Sequence, residues 1–404
     1  MAFIHRTVIR TISGFLPDHT VVLVEGPPRS GKSTVARQLA ASASAGAVLV
    51  DARLREGRAM LASPASQSAA RPIIVDNARR TDAERLLSWA SAVSPGGGGD
   101  TAIRSPRFVL VGENFGGPDP AKPWARAVAR IRVGPLCLFE AGQASLKRLW
   151  LRGGYPEAFA ATSDTAASEW LETYAADLAG GKLAAWDMPR EPLLVSGLLQ
   201  AVAAGHGRVF NENAAARALG VSRPTIGRYL GILERAGLLF QLPALLPRPP
   251  KNRVTTSPAL YIRDSGLLHA LLGIRSADEL ALKPRLAAAS WAGFVVGQAR
   301  EVMPSSLALH RYASADGAAL DLVVVRDGRP ILVAAARRLG PVSVERSISY
   351  AASALLGRAD PEQPQASRPG RYIVVPDGDE RPLPGGFSVL GLGAFLERVA
   401  MADA

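Results

Sequence analysis

The chain is 404 residues long, beyond the usual size of one domain, so two or three domains with separate cores are expected. Apolar residues make up 48% and charged residues 20%, which argues against a largely disordered chain, and a lone cysteine, Cys137, excludes an internal disulfide and argues against a cysteine-based zinc site. The formal charge of +12 favours polyanionic partners, but nearly all of it is arginine, which genome composition also produces, so where the charge sits carries more than its total.

The opening "MAFIHRTVIRTISGFL" is basic and apolar without a continuous apolar core and a small-residue cleavage site, so it does not read as a signal peptide. No apolar run reaches the roughly 20 residues of a membrane-spanning helix. A cytoplasmic protein without membrane attachment is the expectation.

"VVLVE" at 21–25 reads as a short buried strand that enters glycine-rich sequence and then the helical spacing of "STVARQLAASA". "AVLVDAR" at 47–53, "PIIVDN" at 72–77 and "RFVLVG" at 107–112 supply three further strands, separated as a parallel α/β sheet requires. "SPGGGGD" at 94–100 is a flexible loop between two of them. From about Ala141 helices take over, among them "SEWLETYAADLAG" and "REPLLVSGLLQAVAAG". The proline-rich "QLPALLPRPPKNR" precedes a returning strand, "ALYIRD". Beyond about residue 285, a helix and the strand-like "LALHRYAS", "ALDLVVVRDGRPILVAAA" and "GRYIVVP" suggest a second, smaller α/β domain, with a mobile loop at 359–371. The expected domains are 1–140, 141–284 and 285–404.

"GPPRSGKST", residues Gly26, Pro27, Pro28, Arg29, Ser30, Gly31, Lys32, Ser33 and Thr34, matches G-x-x-x-x-G-K-[ST] between a strand and a helix. Glycines there let backbone N–H groups wrap phosphates, the helix N-terminus adds its positive end, Lys32 reaches the β and γ phosphates, and Ser33 holds Mg2+. ATP and Mg2+ are the expected ligands. Asp76 ends its own strand, where a second magnesium-orienting carboxylate belongs. Asn77 stands where many ATPases place the glutamate that polarises the attacking water, and an amide cannot accept the proton. Off the next strand, in "LVGENFGG", Asn114 can touch the γ-phosphate or the water and Glu113 can supply the missing carboxylate; the alternative is a plain turn. Arg130 in "AVARIRVGPL" either reaches a nucleotide or flanks a surface strand.

"NENAAARALGVSRPTIGRYLGILERAGLL", residues 211–239, shows a helix, a turn at Gly220 and a second helix capped by Ser222. Arg223, Thr225 and Arg228 lie near the start of that second helix, the end that enters a major groove in DNA readers. Between His206 and Arg253 there are eight basic and two acidic residues, half of the chain's net charge, which points to DNA or RNA contact mainly through phosphates. The alternative is a lid or docking module. The histidines show no metal-ligand spacing, and no feature sets the oligomeric state.

Taken in order, "GPPRSGKST", "IIVDNARR", "VLVGENFGG", "ARIRVGPLCLFE", "LRGGYPEAF", "RALGVSRPTIGRYLGILERAGLLFQLP" and "ALYIRDSGLLHALLGI" resemble the prokaryotic AAA-type ATP-binding proteins that carry the domain of unknown function 4143. The resemblance covers most of the chain, and "LRGGYPE" at 151–157 with "LYIRDSGLL" at 260–268 is its distinctive part. It implies an AAA-type P-loop NTPase domain with a parallel sheet, then a helical and winged-helix section, then a smaller α/β domain of restriction-endonuclease type. It also implies a role for Arg130 ahead of Pro135 and Leu136. Asn77 departs from the family's Asp-Glu-Ile-Gln. In the last domain Asp321 survives, but Ala334 and Ala336 stand where the resemblance implies Glu and Lys, and Ala292 and Gly293 where it implies Glu-Asn, so a scaffold without nuclease activity is expected. Together these features imply a slow Mg-dependent ATPase that works as a nucleotide-gated switch, or else a nucleic-acid-binding regulator with a vestigial nucleotide site.

Overall fold

The structure is a computed structural model that describes residues 4–42, 46–64, 71–93, 107–116, 128–246, 256–304, 306–314, 319–337, 349, 351–353, 355, 370–383 and 386–400. The loop 94–100, residues 247–253 of the proline-rich stretch and all but the last two residues of 359–371 lie outside this description. The chain divides into two compact units: residues 1–136 with 182–188 and 235–237, and the remainder.

The first unit runs α1 (Val8–Phe15), β1 (Val21–Glu25), α2 (Lys32–Ser42), β2 (Val48–Asp51), α3 (Arg55–Ala62), β3 (Ile73–Ala78), α4 (Arg80–Val93), β4 (Phe108–Gly112) and β5 (Val128–Arg132). Its five strands form one parallel sheet in the order β2-β3-β4-β1-β5. Alternation along the strands explains the layers. Val21 and Leu23 join Val75, Leu110, Leu61, Leu86 and Leu87 on the α3/α4 face. Val22 and Val24 join Ile9, Ile12, Val35, Leu39 and Ile131 on the α1/α2 face. Burying both faces of β1 and β4 requires the uninterrupted apolar runs that mark them in the sequence. Because the chain leaves β1 for the far edge at β2 and returns beside it as β4 and β5, a crevice opens at the carboxyl end of β1, where ligands bind such sheets.

The second unit starts with α5 (Leu138–Ala141), α6 (Leu146–Arg152), α7 (Pro156–Phe159), α8 (Asp164–Ala179) and α9 (Pro192–Ala204). There follow β6 (Arg208–Val209), α10 (Glu212–Leu219), α11 (Arg223–Arg235), β7 (Leu239–Leu242) and β8 (Ala259–Ile262), whose strands pair antiparallel in the order β6-β8-β7. Gly220, at φ 67°, ends α10 in the left-handed region, and the Ser222 hydroxyl accepts from the Thr225 N–H at 3.2 Å to start α11.

Then come α12 (Ser265–Leu271), α13 (Ala277–Ala281), α14 (Pro284–Val302), β9 (Ala308–Ala313), β10 (Ala319–Arg326), β11 (Arg329–Ala335), β12 (Arg371–Val375), β13 (Arg381–Leu383), β14 (Phe387–Gly391) and α15 (Leu392–Ala400). Their sheet has the order β13-β14-β12-β11-β10-β9, parallel at β11/β12 and β12/β14 and antiparallel elsewhere. The Asp321 carboxyl on β10 accepts from the Ala335 N–H at 2.8 Å, and burial raises its pKa. Ala334 and Ala336 belong to the apolar core of this sheet. Among the described residues, no helix is long and apolar enough to cross a membrane.

Candidate functional site

The loop between β1 and α2 is shaped by close approach and by two left-handed residues. A Cβ on Gly26 would overlap the Val133 carbonyl oxygen, so only glycine lets the loop pass this close to the segment that follows β5. Arg29 and Gly31 sit at φ 64° and 91°, and alternating backbone of this kind turns successive N–H groups toward one concavity. Thr34 and Val35 N–H groups donate to the Gly31 carbonyl at 3.0 Å and start α2, whose first turn carries Lys32 and Ser33. The Lys32 amine is folded onto the loop and donates to the Gly26 carbonyl at 3.0 Å and the Pro27 carbonyl at 2.7 Å.

Burial pushes the Lys32 pKa down to about 8, against the opposing pull of the Glu113 and Asp76 carboxylates. An anion placed beside the amine would restore the charge that burial disfavours. Ser33 is exposed at the helix N-terminus, while Ser30 is buried with a hydroxyl that has no partner among the described residues. Ser33 and Asp76 offer the hydroxyl and carboxylate oxygens that Mg2+ takes, so the residues present fit that ion.

The structure sets Asp76 and Glu113 within electrostatic reach of Lys32, and Asn77, Asn114 and Arg130 are each bonded to other protein groups. Asn77 has φ 56°, at a register break between β3 and β4 that spans Val75 to Ala78. Its amide donates to Asp51 Oδ2 at 3.0 Å, toward the edge strand β2 and away from β1. Asp51, bonded to Arg53, has its pKa lowered by that guanidinium. Asn114 accepts from the Gly116 N–H at 2.9 Å and donates to the Ala185 carbonyl at 2.7 Å, so it fixes its own turn and the segment Lys182–Met188. Arg130 donates to the Gly116 carbonyl at 2.7 Å and lies 3.6 Å from a Glu25 oxygen.

Sequence reasoning missed Arg6, Glu25, Asp51 and Ala185. Glu25, immediately ahead of the loop, carried a positional signal; the others carried none.

On α11, Arg223 forms an ion pair with Glu212 at 2.9 Å, and the Thr225 hydroxyl lies 2.8 Å from that of Ser222 at the helix start. Arg228 is exposed, with its guanidinium 5.1 Å from the Tyr229 ring centre.

These features define a parallel-sheet α/β unit with a phosphate loop after its first strand. The family model that matches is Domain of unknown function (DUF8612), over residues 143–278. The model found is this one and not that of the domain 4143 named by the resemblance, and the matched span contains both distinctive motifs, 151–157 and 260–268. Uncharacterized protein Rv2008c of Mycobacterium tuberculosis and uncharacterized protein Mb2031c of Mycobacterium bovis are each 32% identical over 256 residues, covering 62% of this chain. The chain spans only 57% of the length of these relatives.

Among solved structures, the Walker-type ATPase Paby2304 of Pyrococcus abyssi aligns at 15% identity with TM-score 0.44, covering 67% of this chain and 96% of that one. The RuvB Holliday junction branch migration motor of Thermotoga maritima aligns at 19% with TM-score 0.29, covering 60% and 91%.

Proposed function

We propose that this protein binds Mg-ATP at residues 26–34 and hydrolyses it slowly, as a nucleotide-gated conformational switch. The observation that carries the reading is the geometry of the loop after β1: Gly26 packed against the Val133 carbonyl, left-handed Arg29 and Gly31, and Lys32 folded onto the Gly26 and Pro27 carbonyls at the start of α2. Lys32 leaves the Gly26 and Pro27 carbonyls to engage the β and γ phosphates, Ser33 and Asp76 hold Mg2+, and the loop N–H groups bind phosphate oxygens. The ion supplies charge neutralisation on the phosphates. Since Asn77 faces Asp51, Glu113 is the carboxylate that takes the proton of the attacking water as the γ-phosphorus bond to the ADP oxygen breaks.

The three-part division at 140 and 284, an AAA-type first domain, a winged-helix reading of α10, α11 and the β6-β8-β7 sheet, a nuclease-like last domain without nuclease activity, and a cytoplasmic setting belong to the same proposal. Equilibrium ATP binding with single-turnover cleavage, on the natural protein and on Lys32→Ala, tests it. Retained micromolar ATP affinity in Lys32→Ala sinks the assignment.

A second reading, nucleic-acid binding through α11 with a vestigial nucleotide site, is favoured by exposed Arg228 and by the basic surplus of residues 206–253. It expects salt-sensitive DNA binding that ignores ATP and is lost in Arg223→Ala/Arg228→Ala.

A further inference from the structure

Arg6 lies ahead of α1 and is 5% exposed, an unusual place for a guanidinium unless its donors are matched. One terminal nitrogen donates to the Ser30 carbonyl and the other to the Gly134 carbonyl, both at 2.8 Å. Its backbone N–H donates to Gln38 Oε1 on α2 at 3.0 Å, and Gln38 Nε2 donates to the Ile4 carbonyl at 2.6 Å. Residues 4–6 are thus strapped to α2, and the guanidinium closes a ring around the phosphate loop. Gly134 follows Val133, the residue against which Gly26 packs, so the second half of the loop is tied to the wall that supports its first residue.

The consequence lies in the Ser30–Gly31 peptide. In a trans peptide the carbonyl and the following N–H point in opposite directions, so a Ser30 carbonyl held by Arg6 sends the Gly31 N–H to the other side. Gly31, at φ 91°, resists rotation of that peptide less than any other residue would. Resting on the nucleotide reading above, we propose that Arg6 is a positioning residue: it locks the Ser30–Gly31 peptide with its N–H aimed at the phosphates of the nucleotide. It touches no phosphate itself. Its charge-assisted bonds to two carbonyls set the loop's donors before the ligand arrives.

The test is equilibrium binding of Mg-ATP to the natural protein, Arg6→Met and Arg6→Lys, with ligand-free melting of each. Losing one well-aimed donor to a charged oxygen predicts at least a tenfold weaker Kd in Arg6→Met. Arg6→Lys keeps the charge and reaches one carbonyl, so it should recover part of that loss. An ATP affinity in folded Arg6→Met within twofold of the natural protein overturns the proposal, as does an Arg6→Lys that is no better than Arg6→Met. If Arg6→Met does not fold, an unchanged affinity in Arg6→Lys overturns it. Absence of ATP binding by the natural protein is a separate result, which removes the nucleotide reading and this proposal with it.

Discussion

The Asn77 amide donates to Asp51 Oδ2 at 3.0 Å, across the parallel pairing that sets Asp51 beside Asp76. Asparagine tolerates the left-handed backbone at this register break, and its side chain is used to steady the end of β2. Asn77→Glu therefore places a further carboxylate against Asp51, which is already paired with Arg53 at 2.6 Å. Single-turnover ATP cleavage should be no faster in Asn77→Glu than in the natural protein. A clear acceleration would mean that residue 77 reaches the γ-phosphate.

Asn77→Ala loses both the amide and the tolerance of positive φ, and should cost about 1–3 kcal/mol. Asn77→Gly keeps the backbone freedom and should cost less. Chemical denaturation of the two variants orders them.

Glu113→Gln removes the carboxylate expected to accept the proton and should slow single-turnover cleavage by about a hundredfold. ATP affinity should stay within about threefold, because the phosphates are held by the loop and Lys32. Equal cleavage rates would return Glu113 to the role of a solvated turn residue.

Asp264 is 4% exposed and accepts N–H bonds from Gly154 at 2.6 Å and Leu267 at 2.8 Å. Burial raises its pKa from 3.8 to about 6 despite those bonds. The folded protein thus holds this proton more tightly than the unfolded chain does. The associated stability is present below pH 4 and is lost as pH rises to about 6, with an upper size of about 3 kcal/mol. Melting midpoints measured between pH 4 and 6 should fall less steeply in Asp264→Asn than in the natural protein.

Glu212→Ala frees Arg223 from its ion pair. If α11 meets nucleic acid, duplex DNA binding should strengthen, and its dependence on log salt should steepen by about one. Arg228→Ala should make it shallower by about one. Fluorescence anisotropy at several salt concentrations reads both slopes, and unchanged slopes in both variants count against DNA contact at this helix.

The sequence determined the contiguous features by itself. The phosphate loop, the strands ending at Glu25 and Gly112, the Gly220 turn and the Ser222 cap each follow from local rules, since the residues that make them are neighbours in the chain. It also singled out 151–157 and 260–268 without explaining them. The structure does so: a Cβ on Gly153 would overlap the Asp264 carboxylate, and one on Gly266 would overlap the Arg152 carbonyl, so the two motifs are halves of one clasp.

Only the tertiary structure decided which side chains meet. Strand order places β3 between β2 and β4, and the register break turns Asn77 toward Asp51, while Asp76 and Glu113 act on Lys32. Arg6 reaches Gly134 across 128 positions of sequence. A side chain's direction depends on its own φ and ψ, and its partner depends on which strand lies alongside. Pairing and register are set by burial of the whole sheet, so no window of sequence contains them.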